Sequence, residues 1–256
     1  MITNSTILTE KESSLLENLI LKYGFFVDFD QIVAELGGYS RQRVRKLVAK
    51  MSKNGWLIRI KKGKYYISNL EARGFASASV FVIAKNIMED SYVSFESALQ
   101  HHGIFDQYLK RTTSVSVKQY ASKEIQNVTY KFVKTGAQNF YGWENIKIEG
   151  ETVKMATVEK AVLDMINFHR SVNSLDLVLE KFKEYEENFD FQKLQEFSEK
   201  QSTAVRRVLG FLLDKAGIDS GNFLELIKGE KGSSWMTKDS KIYNAKWKLY
   251  YHNHFE

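Results

Sequence analysis

Near the start of the chain, apolar residues recur at the spacing of a helical turn in three successive segments. The first segment starts at Thr9, which forms a capping-box pattern with Glu12, and the second starts at Asp28. The third starts at Ser40, a residue type favoured at helix N-termini. Its apolar stripe at i, i+3, i+4 and i+7 consists of Val44, Leu47, Val48 and Met51. The pattern therefore predicts three short helices, each followed by glycine.

Two short segments rich in β-branched and aromatic residues follow the third helix. WLIRI (residues 56–60) and KYYI (residues 64–67) flank a basic turn that contains Gly63, which is typical of a β-hairpin. Three helices followed by a basic hairpin predict a winged helix-turn-helix domain over residues 1–70. Some winged helices bind protein instead of DNA, so the fold alone leaves the partner open.

Beyond residue 70 the pattern alternates between helical and extended segments. It predicts a helix from Phe75 to Ile87 and a second helix capped by Ser94. Strands are expected at TSVSV and VTYKFV, followed by a hairpin around Gly150 and a helix capped by Thr157. Later helices cover LDLVLEKFKEYEE, FQKLQEFSEK and TAVRRVLGFLLDKAG. The predicted fold class is α+β: an N-terminal winged helix-turn-helix, then a larger mixed α/β domain (residues 71–256) with a helical C-terminal part.

Charge is distributed unevenly between these two regions. Residues 1–70 hold twelve Lys and Arg against six Asp and Glu, whereas residues 71–256 hold twenty-five of each. A stretch within the first region contains ten basic residues and no acidic one: Arg41, Arg43, Arg45, Lys46, Lys50, Lys53, Arg59, Lys61, Lys62 and Lys64. Because solvated surfaces usually mix both signs, this asymmetry favours a surface that binds a polyanion, namely nucleic acid.

The position of each residue on the third helix and the hairpin predicts its role. A helix-turn-helix places its second helix in the major groove, N-terminal residues first. Arg and Lys suit guanine and Gln suits adenine, so the candidates for base contacts are Arg41, Gln42, Arg45 and Lys46. Ser40 and Arg43, beside them, are also predicted to contact DNA, and Lys50 and Lys53 are expected to meet phosphate. The wing residues expected to contact the DNA backbone or minor groove are Arg59, Lys61, Lys62 and Lys64.

Catalytic and metal-binding patterns find little support. The chain has no cysteine, which excludes disulfides, thiolate nucleophiles and Cys-based metal sites. His101 and His102 are adjacent on a helix and point about 100° apart, so they cannot readily share a metal. An Asp-x-Asp pair, Asp28 and Asp30, opens a predicted helix, where capping explains it. Phosphate-binding glycine loops and nucleophile elbows are missing, so no enzyme, cofactor or metal is expected.

The sequence also bears on location. No stretch approaches the roughly 20 apolar residues that a membrane span needs. The N-terminal residues lack the basic start and apolar core of a signal peptide. We therefore expect a cytoplasmic protein.

Six segments spread over nearly the whole chain carry a family resemblance: GWLIRIKKGKYYI, YVSFESALQHHGI, TSVSV, FYGWENIKIEGETVKMATVEKAVLDMI, VRRVLGFLLDKAG and NAKWKLYYHN. In content and order they resemble the AbiEi-type antitoxins of abortive-infection (type IV) toxin–antitoxin systems, a family of winged-helix transcriptional regulators. The chain departs from the family at two places. Val158 stands at a first helical position where the family often has proline, and the region around Phe105-Asp106 also lacks an expected proline. Neither departure touches the expected DNA-binding face.

The resemblance implies a protein with two functions. The N-terminal domain would bind double-stranded DNA at inverted repeats in its own promoter and repress the toxin–antitoxin operon. The C-terminal domain would neutralise a cognate toxin that resembles a nucleotidyltransferase, with or without direct contact. From the residues alone an alternative stays open, a winged-helix regulator whose C-terminal domain binds a ligand or protein partner unrelated to a toxin.

Overall fold

The computed structural model describes residues 8–68 and 77–256. Its helices and strands are mixed along the chain, so the fold class is α+β, as predicted. The chain divides into a first unit, residues 1–89 with 124–128, and a second unit, residues 90–123 with 129–256. The predicted domain boundary between residues 70 and 71 lies outside the described residues. None of the helices in the described part of the chain combines the length and apolar character that crossing a bilayer requires.

The first unit contains four helices and three strands among its described residues. In chain order they are α1 (Glu10–Tyr23), β1 (Phe26–Asp28), α2 (Phe29–Glu35), α3 (Arg41–Lys53), β2 (Leu57–Lys61), β3 (Lys64–Ile67) and α4 (Val80–Ile87). The strands form a sheet in the order β1-β3-β2. The three predicted helices and the predicted hairpin are therefore present, whereas β1 was not predicted.

Local hydrogen bonds explain where the helices of the first unit begin. At the start of α1 the backbone N–H of Thr9 donates to Glu12 Oε2 at 3.0 Å, and Glu12 N–H donates to Thr9 Oγ1 at 3.3 Å, which confirms the capping box. The prediction of a fourth helix from Phe75 to Ile87 was wrong over residues 77–79, which are described and are not helical. Phe75 itself lies outside the described residues, and the helix begins only after Ser79, whose hydroxyl accepts from Phe81 N–H at 3.3 Å.

The remaining α-helices and strands belong to the second unit, apart from most of β6, whose residues 124 and 125 belong to the first. They are β4 (Ser91–Val93), α5 (Phe95–His101), β5 (Arg111–Ser116), β6 (Lys123–Ile125), β7 (Val128–Lys134), β8 (Trp143–Ile148), β9 (Glu151–Ala156), α6 (Val158–Phe168), α7 (Val172–Glu184), α8 (Phe191–Ser198), α9 (Thr203–Ala216), α10 (Gly221–Glu225), β10 (Ser234–Trp235), β11 (Ile242–Asn244) and β12 (Leu249–Tyr251). Within a six-stranded sheet, five strands neighbour one another in the order β7-β5-β4-β9-β8. A three-stranded sheet has the order β10-β12-β11.

The centre of the second unit is α6, whose apolar residues are buried except Phe168, which is partly buried. Asp164 lies on this helix and is also buried, and Lys160 Nζ donates to it at 2.6 Å. Ser94 donates its hydroxyl to the same carboxylate at 2.7 Å. Ser94 is the N-cap residue of α5, as predicted, but its side chain makes no capping hydrogen bond, because its hydroxyl donates to the buried carboxylate instead. Thr157 does cap α6, accepting from Lys160 N–H at 3.4 Å.

Candidate nucleic-acid interface

Helix α3 is amphipathic, with one buried apolar side and a polar side that faces solvent. Val44, Val48 and Met51 are buried as predicted, while Leu47 is only partly buried. All polar residues predicted on the opposite side are exposed: Arg41, Gln42, Arg43, Arg45, Lys46, Lys50 and Lys53. The helix therefore presents a continuous basic surface.

The first turn of α3 is fixed by a cap and by an aromatic contact. Ser40 accepts a hydrogen bond from Arg43 N–H at 3.3 Å, so its hydroxyl serves the helix start. The Arg43 guanidinium lies over the ring of Tyr39, 4.2 Å from the ring centroid, an arrangement that favours the cation. Tyr39 was not predicted from the sequence to take part in the site, although it lies directly before the cap residue Ser40 and so close to the first turn of α3.

Two basic residues of α3 have acidic partners elsewhere in the first unit. Arg41 Nη2 lies 2.6 Å from Asp30 Oδ1, and both side chains are more than half exposed. Exposed pairs of this kind contribute at most about 1 kcal/mol, so a phosphate or base could replace Asp30. Capping alone therefore does not explain Asp30, because its carboxylate also pairs with Arg41 of α3.

The second pair is more protected. Lys50 Nζ donates to Glu12 Oε1 at 2.8 Å, and the Glu12 side chain is 9% exposed. Burial alone would raise the pKa of Glu12, but hydrogen bonds from Lys50 and Thr9 outweigh it and lower the pKa. Glu12 is therefore charged at neutral pH and holds Lys50 at one end of the basic surface.

In the hairpin, two of the four predicted wing residues are turned toward an acid. Lys64 Nζ lies 3.1 Å from Glu89 Oε1, and Lys61 Nζ lies 3.5 Å from the same oxygen. Lys61 also donates to the carbonyl of Ile87 at 3.4 Å. The hydrogen bond from Lys64 is the main reason that the pKa of Glu89 is lowered. Part of the hairpin charge is therefore neutralised by a residue outside the acid-free stretch.

A β-bulge interrupts the hairpin between Arg59 and Lys61. The pairing of β2 with β3 shifts between Arg59, opposite Tyr65, and Lys61, opposite Lys64. Ile60, at the shift, is completely buried, whereas Arg59 and Lys62 are exposed. Among the described residues, six of the ten basic residues form no salt bridge: Arg43, Arg45, Lys46, Lys53, Arg59 and Lys62.

An open groove of about 900 Å³ connects α3 with the hairpin. Arg41 and Arg45 line it from the helix, and Arg59 and Lys62 line it from the hairpin. Its lining also includes acidic and apolar groups, namely Asp28, Asp30, Phe29, Val48 and Tyr65. The groove brings together four predicted DNA-binding residues from two elements. Phe29 and Tyr65 were missed, because only the packed domain places them there.

The adjacent histidines of the second unit, His101 and His102, contact the backbone and each other. His102 Nε2 is 2.8 Å from the carbonyl oxygen of Ala156, and the His101 ring stands edge-on to the His102 ring. Burial lowers the pKa of His101. Within the described residues no three His, Asp or Glu side chains are grouped so as to hold a metal ion.

Comparisons with known proteins inform the fold but not the function. No protein-family model matches the sequence, and no curated protein matches it. The chain is similar to a crystal structure of the RV2827C protein from Mycobacterium tuberculosis, with a TM-score of 0.69 and 11% sequence identity. The similarity covers 96% of this chain and 92% of that one. At this identity the likeness establishes a shared fold over nearly the whole chain.

Proposed function

We propose that the first unit is a winged helix-turn-helix that binds double-stranded DNA, with α3 as the recognition helix and the β2–β3 hairpin as the wing. The observation that carries this proposal is the groove in which Arg41 and Arg45 of α3 meet Arg59 and Lys62 of the hairpin. Basic side chains on two sides of an open groove suit a polyanion that contacts both elements. Binding at its own promoter would make the protein a repressor in the cytoplasm.

The available charge supports the same proposal. Six exposed basic residues without salt-bridge partners among the described residues can each neutralise a phosphate and release counterions. Gln42, Arg45 and Lys46 are exposed and near the N-terminal end of α3, which is where a recognition helix contacts base edges. Arg41 joins them once Asp30 is displaced. Sequence readout is therefore assigned to α3 and backbone contact to the hairpin.

We further propose that the chain is an antitoxin toward a nucleotidyltransferase-like toxin, and a binding protein without cofactor, metal or catalytic activity. The support for the antitoxin role is the resemblance of the six ordered segments to AbiEi-type antitoxins. The second unit is a separate compact body with its own sheets and a buried helix, α6, large enough to act on a partner. The alternative, a regulator whose second unit binds a different ligand or protein, remains a competing proposal.

The DNA proposal is tested by electrophoretic mobility shift with the full chain and the DNA upstream of its own gene. A scrambled duplex of the same length is the control. We expect preferential binding to the upstream DNA, and loss of that preference in the double variant Arg45→Ala/Lys46→Ala. The control is Lys147→Ala, which removes one exposed positive charge from β8 in the second unit and should bind as the wild type does. Equal affinity of the wild type for both duplexes would contradict the regulatory role.

A further inference from the structure

The second unit contains a larger cavity that the DNA-binding proposal does not use. It has a volume of about 1140 Å³ and lies where the start of β5 and part of β7 meet the beginning of α7. Four cationic side chains from three segments of the chain line it: Lys110 with Arg111, Lys131, and Arg170. We call this cavity the cationic basin. Like charges brought into one cleft from distant parts of the sequence favour the binding of an anion.

The acidic residues of the basin offset this charge only in part. Glu96, Asp176 and Glu180 also line it. Asp176 Oδ1 lies 2.9 Å from His254 Nε2, and Glu180 Oε1 lies 2.6 Å from Lys181 Nζ, so two of the acids already have partners outside the four cations. In the part of the chain that the structure describes, none of the four basin cations forms a salt bridge. The basin therefore has cations available for an anion.

His169 also favours the binding of an anion in the basin. His169 stacks on Phe95 with ring centroids 4.5 Å apart, and its Nε2 lies 3.5 Å from Lys131 Nζ. Phe95 is completely buried and has a φ of 57°, an unfavourable conformation for a bulky residue that often accompanies functional sites. Burial lowers the pKa of His169, as do Lys131 and Arg111, against the opposing charge of Glu96. A neutral imidazole accepts from Lys131 and leaves its ammonium charge in the basin.

The N-terminal end of α7 also faces the basin. Ser171 caps this thirteen-residue helix, accepting from Ser174 N–H at 3.2 Å, and both residues line the basin together with Asn173. The hydroxyl oxygen of Ser174 is buried and has no hydrogen-bond partner among the described residues. The partial positive charge of a helix N-terminus favours phosphate groups. A phosphate oxygen near this turn would add to the cations rather than compete with them.

An exposed aromatic ring completes the basin. Tyr108 lines its edge, two residues from Lys110, and the residue is 79% exposed. A flat aromatic ring beside cations that can bind phosphate suits a nucleobase, because bases stack on aromatic side chains. The combination of ring, cations and helix end distinguishes this site from a general anion patch.

We propose that the cationic basin binds a nucleoside polyphosphate. Arg111, Lys131 and Arg170 hold the phosphates with the first turn of α7, and the base stacks on Tyr108. The proposal stands on the second unit alone and does not depend on DNA binding by the first.

The test uses the full chain and two probes, ATP and inorganic tripolyphosphate, with binding measured by isothermal titration calorimetry. We expect saturable binding of both. Arg111→Ala and Lys131→Met should each weaken both probes roughly tenfold or more, as expected for the loss of a charge-assisted contact. Tyr108→Leu should weaken ATP roughly fivefold or more and leave tripolyphosphate unchanged. Lys147→Ala, outside the basin, should change neither affinity.

The opposite results are equally defined. Absence of saturable binding, unchanged affinity in both cation variants whose melting curves match the wild type, or equal loss in Lys147→Ala overturns the proposal. Equal weakening of both probes by Tyr108→Leu overturns the base-stacking assignment. Loss of ATP binding when random duplex DNA is added would assign the basin to the DNA surface instead. Failure of the chain to bind DNA, with ATP binding intact, contradicts only the proposed DNA function.

Discussion

Lys64 Nζ lies 3.1 Å from a carboxylate oxygen of Glu89, a residue 25 positions farther along the chain. Lys61 reaches the same oxygen at 3.5 Å. The basic residues of the hairpin therefore fall into two groups: Arg59 and Lys62 are exposed, while Lys61 and Lys64 are held beside an acid. If the hairpin is the proposed wing, Glu89 limits how much of its charge is available to a polyanion.

Removing that acid should strengthen DNA binding. In Glu89→Gln, Lys61 and Lys64 lose their anionic partner and become available for phosphate. We expect a higher affinity for duplex DNA at low salt and a salt slope steeper by about one for each lysine that gains a phosphate. Fluorescence anisotropy with a labelled duplex measures both quantities.

The matched control for Glu89→Gln is Asp90→Asn. Asp90 is the adjacent acid and pairs with Lys118 at 2.7 Å, so its loss changes the net charge equally without releasing the hairpin lysines. Identical effects of the two substitutions would mean that net charge alone, and not the hairpin, accounts for the gain.

We expect α3 to recognise the DNA sequence and the β2–β3 hairpin to contact the DNA backbone. Gln42→Ala or Arg45→Ala should reduce the discrimination between operator and random DNA by about 1–3 kcal/mol, the loss expected for a bidentate base contact. Arg59→Ala or Lys62→Ala should weaken both duplexes about equally. Competition binding with the two duplexes gives both free energies. If the hairpin variants alone abolish sequence preference, the assignment of the two elements is reversed.

Acid pH should reveal the protected ion pair of Glu12. Its folded pKa is depressed, so it contributes stability at pH values above the ordinary glutamate pKa of 4.5, and that stability is lost as the pH falls through the folded pKa. The difference in unfolding free energy between wild type and Glu12→Gln should therefore be largest near neutral pH and shrink below about pH 4.5. Glutamine keeps the capping-box geometry. Urea unfolding at several pH values measures this; a constant difference would contradict the assigned pair.

Much of the fold could be predicted from local pattern. Periodicity and caps located the three N-terminal helices and the hairpin, because each is specified by neighbouring residues such as Thr9 with Glu12. Strand β1 was missed, since its three residues are too few to show alternation. The ion pairs of Lys61 and Lys64 with Glu89 were not predicted for a different reason. Their residues are 25 to 28 positions apart, so the contacts depend on tertiary packing. The groove between α3 and the hairpin likewise exists only in the packed unit.

Repression and toxin neutralisation should be separable within the full chain. Arg45→Ala/Lys46→Ala alters only exposed residues of α3, so the second unit should remain folded. We expect this double variant to lose repression of a promoter–reporter fusion. It should still rescue growth when the cognate toxin is expressed from an independent promoter. Parallel loss of rescue, at equal protein levels, would contradict the division of the two functions.

The salt dependence of DNA binding tests the central claim most directly. Six exposed basic residues without salt-bridge partners among the described residues predict that the logarithm of the binding constant falls with the logarithm of salt concentration with a slope of roughly −5. Between 50 and 200 mM salt, that slope corresponds to about a thousandfold loss of affinity. Anisotropy titrations of the full chain with duplex DNA give the slope. A steep linear decrease is the predicted result, and an affinity that stays flat over this range would contradict a polyanion-binding surface.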